Sequence, residues 1–367
     1  MKASRWWNLA SVVLAILYAP LILFAASAHS SEFYSEDLRI PMAAAGACGL
    51  EAFLMRPAAS GQYPLALISH GSPRNVDDRA GMTAHGYRAT AFEFARRGFA
   101  ALVVLRRGYG TSSGGLIDSF GSCSHPDYRH ALTVSVADLE AAIAAMQKRN
   151  DVTTRGMIAI GYSAGGLATV GLTAQPPPGL VAAINFAGGR GSARAGMVCG
   201  DKTLVDLFRQ LGTTSRVPML WVYASNDGFF APELAHRFRD AFAGSGGKVT
   251  FVDAPAFGKD GHFLFSNSSA ATWTSYVDNF LRAQNLLHRI AMDLVPAPPQ
   301  LGANGKDAFA QYLGHVPHKA FAVAPDGSFG WRSHMPTVED ARREALEACS
   351  RHARGCNIYA IDDALSR

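Results

Sequence analysis

The sequence predicts an α/β fold in which helices cover both faces of a mostly parallel sheet. Strand-like and helix-like segments alternate from Glu36 onward, and such alternation is typical of parallel sheets. Several strand-like segments are continuous apolar runs, as expected of strands that are buried on both faces. The chain has 367 residues, of which 49% are apolar and 17% are charged, so it is long and apolar enough to bury a large core.

The first half of the pattern contains three strand-like segments and two helix-like ones. Strands are predicted at "LEAFLMRP", "YPLALISHG" and "AALVVLRRG". Between the last two lies "YRATAFEFARRG", in which apolar residues recur at helical spacing before Gly98. A longer helix is predicted from about Asp127 to Arg149, because apolar residues there step by four and three.

The second half continues the alternation. A short strand ending at Gly161 is followed by strands at "LVAAINFAGG", "VPMLWVYASND" and "KVTFVDAPAF". Helices are predicted near Leu204, near Leu234 and around Trp273. The main domain is therefore expected to span residues 36–290.

A proline- and glycine-containing tract, "LVPAPPQLGANGKD", then interrupts the pattern and predicts a linker over residues 291–306. The remaining residues, 307–367, predict a small α+β accessory module with a hairpin, a helix and a final strand. Nothing in this module indicates its role, so it is expected to stabilise the chain or to bind a partner.

The amino-terminal segment has the layout of a secretory signal peptide. Lys2 and Arg5 precede an uncharged run, and Ala26-Ser27-Ala28 resembles a cleavage site, so residues 1–28 are expected to be removed. The alternative is an uncleaved anchor, which would be the one reason to expect a membrane as a partner. Either interpretation places the rest of the chain outside the cytoplasm, either secreted or periplasmic, or membrane-anchored and facing outward.

The charge and the cysteine content indicate which partners, disulfides and metal sites to expect. Without Lys2 and Arg5, 32 basic residues stand against 29 acidic ones, a net charge of +3 that gives no reason to expect a nucleic-acid partner. In an oxidising compartment, Cys349 is expected to pair with Cys356, and Cys123 with Cys199. Cys48 is then left over and is expected to be buried near the first strands. No Cys or His pair has metal-ligand spacing beside a second pair, so no metal is expected.

The stretch Gly161-Tyr162-Ser163-Ala164-Gly165 reads G-x-S-x-G between an apolar strand and the opening of a helix. A strand that turns directly into a helix exposes its turning residue at the carboxyl edge of the sheet. Side chains two positions before and after that residue would collide with the strand or the helix. Ser163 is therefore the candidate nucleophile.

A serine hydroxyl needs a base, and that base needs an orienting group; both are expected at the ends of later strands. Asp227 ends the segment "MLWVYASND", 64 residues after Ser163, and His262 follows the next strand, 35 residues further on. Asp253 is the alternative acid, but it lies within or just after a strand. The order nucleophile, acid, histidine predicts a catalytic triad of Ser163, Asp227 and His262.

With these residues placed, the chain resembles the α/β-hydrolase superfamily, in its dienelactone-hydrolase-like and prolyl-oligopeptidase-like branch. The resemblance covers roughly residues 36–287 and is carried by "SHGSP", "RRGYGTSSG", "GYSAGG", "YASND" and "DGHFLF". It implies an α/β-hydrolase fold without an organic cofactor or metal. It also implies an oxyanion hole built from the N–H of Ala164 and an N–H of the "SHGSP" loop, where Ser72 is favoured and Gly71 stays open.

The function expected from the sequence is that of an exported serine hydrolase that cleaves a small-molecule carboxylic ester through an acyl-enzyme. Dienelactone hydrolases use a cysteine nucleophile, so Ser163 puts a dienelactone substrate in doubt. A peptidase like prolyl oligopeptidase is the alternative within enzymes, and an exported binding protein on an inert hydrolase fold is the alternative outside them. The acyl and alcohol groups and the oligomeric state are not determined by the sequence.

Overall fold

The computed structural model describes residues 33–265, 270–287, 295–313, 315, 318–362 and 364–366. The predicted signal peptide, residues 1–28, lies outside these ranges. Within the described ranges, every helix is too short or too polar to cross a membrane.

An eight-stranded sheet forms the centre of the molecule, with the strand order β1-β2-β4-β3-β5-β6-β9-β10. Its strands are β1 (Phe33–Ile40), β2 (Leu50–Pro57), β3 (Tyr63–Ser69), β4 (Ala100–Val104), β5 (Val152–Tyr162), β6 (Leu180–Phe186), β9 (Met219–Ala224) and β10 (Val249–Ala254). Six neighbouring strands run parallel, namely β4, β3, β5, β6, β9 and β10. Strand β2 pairs antiparallel with both of its neighbours. The parallel part is buried on both faces, which explains its continuous apolar runs.

Six helices cover this sheet in two layers. They are α1 (Arg88–Ala95), α2 (Tyr128–Met146), α3 (Ala164–Ala174), α4 (Asp201–Gly212), α5 (Pro232–Gly244) and α6 (Ala270–Ala283). Residues of α2 to α5 join one buried apolar cluster, and residues of α1 and α6 join a second. The alternation predicted from the sequence is thus confirmed as a mostly parallel sheet flanked by helices.

Two further pieces complete the described chain. A short hairpin, β7 (Ser192–Arg194) and β8 (Met197–Val198), stands between β6 and α4. The carboxyl-terminal part forms a second sheet in the order β12-β11-β13-β14, which packs against α8. Its elements are α7 (Ala303–Leu313), β11 (Ala320–Val323), β12 (Phe329–Arg332), α8 (Val338–Ser350), β13 (Asn357–Ile361) and β14 (Ala364–Leu365).

Both expected disulfides are present, whereas one expectation about the cysteines is wrong. Cys123 joins Cys199 and Cys349 joins Cys356. Cys48 is exposed rather than buried, because it lies in an exposed turn that precedes β2 and not in a strand. The first disulfide connects the loop before α2 to the end of the β7–β8 hairpin, so it links two loops at the carboxyl edge of the main sheet.

Candidate active site

Ser163 occupies a strained turn between β5 and α3. Its backbone has φ 54° and ψ −120°, a conformation that a residue with a side chain rarely adopts. The turn is closed by tight packing on both sides. A Cβ at Gly161 would collide with the carbonyl oxygen of Gly165, and a Cβ at Gly165 would collide with the carbonyl oxygen of Ser69. The glycines flanking the serine are therefore required by close approach, as the sequence pattern predicted.

Asp227 and His262 meet at the ends of neighbouring strands. Nδ1 of His262 lies 3.1 and 3.2 Å from the two carboxylate oxygens of Asp227. Both side chains are almost fully buried. The backbone N–H groups of Phe229 and Phe230 donate to Oδ1 of Asp227 at 2.7 and 2.9 Å, so the carboxylate is held by its own loop. This carboxylate fixes the plane of the imidazole and leaves Nε2 as the ring atom available for proton transfer.

The alternative acid does not reach this histidine. Asp253 lies on β10 with an exposed side chain, and it pairs with His236 at 2.6 Å. Instead, Asp260, which the sequence analysis did not single out, supports the site. Its Oδ1 accepts from the N–H of Gly228 at 2.8 Å and from the N–H of His262 at 2.9 Å. One carboxylate therefore joins the loop of the acid to the loop of the histidine.

The imidazole is packed between its acid and an aromatic ring. The ring of Phe229 stacks on His262 with centroids 3.8 Å apart and an interplanar angle of 7°. On the ring of Phe229 also lies the guanidinium of Arg74, 3.4 Å from the ring centroid. Among the described contacts of Ser163, no hydrogen bond joins its Oγ to His262. Such bonds are often long or poorly aligned before substrate binds.

Two backbone N–H groups near the serine lack a hydrogen-bond acceptor. Within the described chain, no acceptor is found for the N–H of Ala164 or for that of Ser72. The N–H of Gly71, by contrast, donates to the hydroxyl of Tyr87 at 3.4 Å. A Cβ built on Gly71 would lie 3.1 Å from Cβ of Ser163, which places this loop against the nucleophile. Of the two loop residues left open by the sequence, Ser72 is the one with a free donor.

The buried side chain of His70 holds the loop of Gly71 and Ser72 in position. Its Nε2 accepts from the N–H of Arg106 at 2.9 Å, so Nδ1 carries the proton and donates to the carbonyl oxygen of Gly71 at 2.6 Å. Burial, together with the neighbouring Arg106 guanidinium, keeps the pKa of His70 well below its usual value. The ring is therefore neutral, as this pair of bonds requires.

A second anchor reaches the loop through Ser72. The Ser72 hydroxyl hydrogen-bonds to the hydroxyl of Tyr109, which donates to the Asp118 carboxylate at 3.1 Å. Arg190 and Arg106 both pair with Asp118, at 2.7 and 3.3 Å. Burial raises the pKa of Asp118, but the two guanidinium groups lower it more, so the carboxyl remains ionised. Arg190 thus packs its loop rather than standing free in the site.

The arrangement can activate a hydroxyl, move a proton and stabilise a developing oxyanion. Within the described residues, no three His, Cys, Asp or Glu side chains converge to hold a metal ion.

Several solved structures are similar to this chain at low sequence identity. A putative dienelactone hydrolase from Klebsiella pneumoniae is 17% identical over 70% of this chain and 99% of its own, with a TM-score of 0.47. An esterase from Pyrococcus furiosus is 14% identical over 68% of this chain and 90% of its own, with a TM-score of 0.47. A putative dipeptidyl aminopeptidase IV from Bacteroides ovatus is 12% identical over 68% of this chain and 35% of its own, with a TM-score of 0.50.

No curated protein matches the sequence significantly. The model of the dienelactone hydrolase family, however, matches residues 50–278, which is more than half of the chain. That span contains the six parallel strands and all the residues discussed for the site. The chain belongs to the dienelactone hydrolase family and has the α/β-hydrolase fold.

Proposed function

We propose that this protein is an exported serine hydrolase that cleaves carboxylic esters. The observation that carries the proposal is the buried Asp227–His262 pair beside a serine held in a strained turn. Strain of this kind is concentrated at functional sites, and a buried carboxylate on Nδ1 is the support that a general base requires.

The reaction proceeds in two halves. Oγ of Ser163 attacks the ester carbonyl while Nε2 of His262 removes its proton, and Asp227 stabilises the imidazolium that forms. The oxyanion is bound by the N–H groups of Ala164 and Ser72, which are free to donate. His262 then protonates the departing alcohol, and an acyl-enzyme remains on Ser163. Water, activated by the same histidine, releases the carboxylic acid.

Two features favour export. The sequence of residues 1–28 resembles a signal peptide. The described chain contains two disulfides, which persist in oxidising compartments and are rare in the cytosol.

The proposal is tested by fluorophosphonate labelling of residues 29–367, beside Ser163→Ala and a control, Ser119→Ala, whose serine is exposed on a loop. Labelling that survives in the control and disappears in Ser163→Ala is expected. Turnover of short p-nitrophenyl esters but not of peptidyl amides is expected as well. Preference for the amides would support a peptidase instead, and a folded protein without labelling would support the binding protein.

A further inference from the structure

A cavity of about 300 Å³ lies next to the candidate triad but is lined by neither Ser163 nor His262. It opens to the surface and is bordered by the β7–β8 hairpin, the first residue of α4, the loop after Asp227 and the first turns of α5. Its volume is at the lower end of the roughly 300–1,000 Å³ that ligand pockets span. It is therefore large enough for a small organic group.

Phe229 connects this cavity to the histidine. Its ring stacks on the His262 imidazole at 3.8 Å, and the same residue forms part of the cavity wall. Because Nδ1 of His262 faces Asp227, the proton for the leaving group comes from Nε2. The departing oxygen must therefore lie beside the imidazole, on whose face the ring of Phe229 is stacked. The group attached to that oxygen is the part of an ester closest to the cavity.

The lining indicates what kind of group fits. Five apolar side chains form part of its walls: those of Phe229, Met197, Val198, Ala231 and Leu234. Asp201 and Arg237 are paired at 2.6 Å and so neutralise each other. Glu233 also lines the cavity, and it makes no hydrogen bond or ion pair with any residue that the structure describes. Its carboxylate is exposed in the first turn of α5 and gives the lining of the cavity a net charge of −1.

The hairpin wall is fixed before any ligand arrives. Arg74 donates to Oγ of Ser192 at 2.9 Å and to the carbonyl oxygen of Gly228 at 3.1 Å. The N–H of Gly196 donates to that same carbonyl at 3.1 Å. Cys199 anchors the end of the hairpin through its disulfide with Cys123. A wall held at both ends forms a preformed pocket, as binding sites for small molecules usually are.

We propose that this cavity binds the alcohol portion of the ester and selects a small apolar group without a carboxylate. This inference rests on the proposed esterase function and adds the substrate class. Apolar walls favour a benzyl or short alkyl group, and the charge of Glu233 repels an anionic one.

The first test fills the cavity. Met197 is 37% exposed, so Met197→Trp can be introduced from the solvent side. Val181→Trp is the control, because Val181 is also 37% exposed but is the second residue of β6, at the amino ends of the parallel strands. For benzyl acetate, Met197→Trp is expected to lower kcat/KM by about tenfold or more, mainly through KM. Methyl acetate should be hydrolysed as by the unchanged protein, and Val181→Trp should change neither.

The second test removes the charge without changing shape. Glu233→Gln is compared with Glu140→Gln, whose carboxylate is exposed on α2. The unchanged protein is expected to prefer benzyl acetate over 4-carboxybenzyl acetate. Glu233→Gln should reduce that preference roughly fivefold, which corresponds to the upper range of a partly exposed charge interaction, and Glu140→Gln should not.

The outcomes separate the two proposals. If Met197→Trp labels normally with fluorophosphonate but hydrolyses benzyl acetate as well as before, the cavity proposal is overturned and the esterase proposal stands. If it instead changes the discrimination between methyl acetate and methyl butyrate, the cavity receives the acyl portion and our assignment is wrong. If the unchanged protein neither labels nor hydrolyses any ester, both proposals fail together.

Discussion

Nδ1 of His70 lies 2.6 Å from the carbonyl oxygen of Gly71, and this bond orients the peptide that joins Gly71 to Ser72. The carbonyl of one residue and the N–H of the next belong to one planar trans unit and point in opposite directions. By holding the Gly71 carbonyl, His70 therefore directs the Ser72 N–H to the other side, away from the imidazole. A donor to an oxyanion has to be oriented before the reaction, and in the proposed mechanism the buried ring of His70 orients the N–H of Ser72.

Replacing His70 should separate its two hydrogen bonds. His70→Asn keeps a donor near the position of Nδ1, whereas His70→Gln keeps an acceptor near Nε2 for the N–H of Arg106. We expect His70→Gln to lower kcat about 10²-fold with little change in KM, because one oxyanion donor loses its orientation. His70→Asn should retain kcat to within roughly tenfold. Steady-state kinetics on one ester check this, and equal losses in both variants would contradict the orienting role.

The same residue makes stability depend on pH. The pKa of His70 is well below its usual value in the folded protein, so the unfolded chain binds a proton below about pH 6.5 that the folded chain does not. Unfolding therefore takes up a proton, and the free energy of unfolding falls as pH is lowered from about 6.5. The loss attributable to His70 should approach about 1.4 kcal/mol per pH unit. Urea denaturation of the unchanged protein and of His70→Asn between pH 7.5 and 5 measures this loss. If the free energy of unfolding depended on pH in the same way in both proteins, the contribution of His70 would be refuted.

Tyr109→Phe should weaken the second anchor of the oxyanion loop. The change removes the hydroxyl that links Ser72 to Asp118, while Arg106 and Arg190 still neutralise Asp118. A lost hydrogen bond of ordinary strength predicts a decrease in kcat of up to about tenfold. Tyr63→Phe is the control, since its hydroxyl bonds only to a nearby exposed carbonyl. Kinetics and thermal unfolding should be measured together, and an effect on stability alone would argue against a role in the reaction.

Asp227→Asn should lower kcat by about 10⁴-fold. The N–H groups of Phe229 and Phe230 would keep the amide oxygen at the Oδ1 position, so the amide nitrogen would face Nδ1 of His262. A donor at that position favours the tautomer in which Nε2 carries the proton and cannot accept one from serine. Asp253→Asn, at the exposed alternative acid, should leave kcat unchanged. Comparable losses in the two variants would reverse the assignment of the acid.

The two disulfides should differ in their contribution to stability. Cys123 and Cys199 are 76 positions apart, whereas Cys349 and Cys356 are seven apart. On the chain-entropy model, these loops correspond to about 4 and about 2 kcal/mol. Double serine variants of each pair, compared by urea denaturation, should show the larger loss for the first. Titration of the native protein with a thiol reagent should detect the single exposed thiol of Cys48.

The sequence was sufficient for the features that local pattern determines. In a parallel sheet, all strands end at the same edge, so a serine, an aspartate and a histidine that each follow a strand can be placed together from chain order alone. In the structure, Asp227 and His262 are indeed in contact. Gly161 was likewise predicted from local sequence, because it is crowded by Gly165, four residues further on, whereas Gly165 is crowded by the carbonyl oxygen of Ser69 on a neighbouring strand.

Features that depend on contacts between loops were not predictable in this way. Asp118 and Arg190 meet across 72 positions, and neither loop has a periodic pattern. The β7–β8 hairpin was not predicted, because its strands are only three and two residues long. Strand β1 was missed because it is an edge strand with a mostly polar surface, so it lacks an apolar run. Helix α7 begins at Ala303, inside the tract predicted as a linker, where glycines had been interpreted as breakers. Asp260 could have been found from the sequence. An aspartate often accepts from the backbone N–H two residues on, and His262 stands at that position.

The packing around Gly161 and Gly165 has a consequence for changes of chemistry. Neither position accepts a side chain without displacing backbone. The backbone of this turn is therefore held in place whichever atom residue 163, the proposed nucleophile, presents. Ser163→Cys would put sulfur in place of oxygen on the same backbone, so one substitution separates this chain from the thiol nucleophile that dienelactone hydrolases use. Divergence between oxygen and sulfur hydrolases on this fold requires no change of architecture.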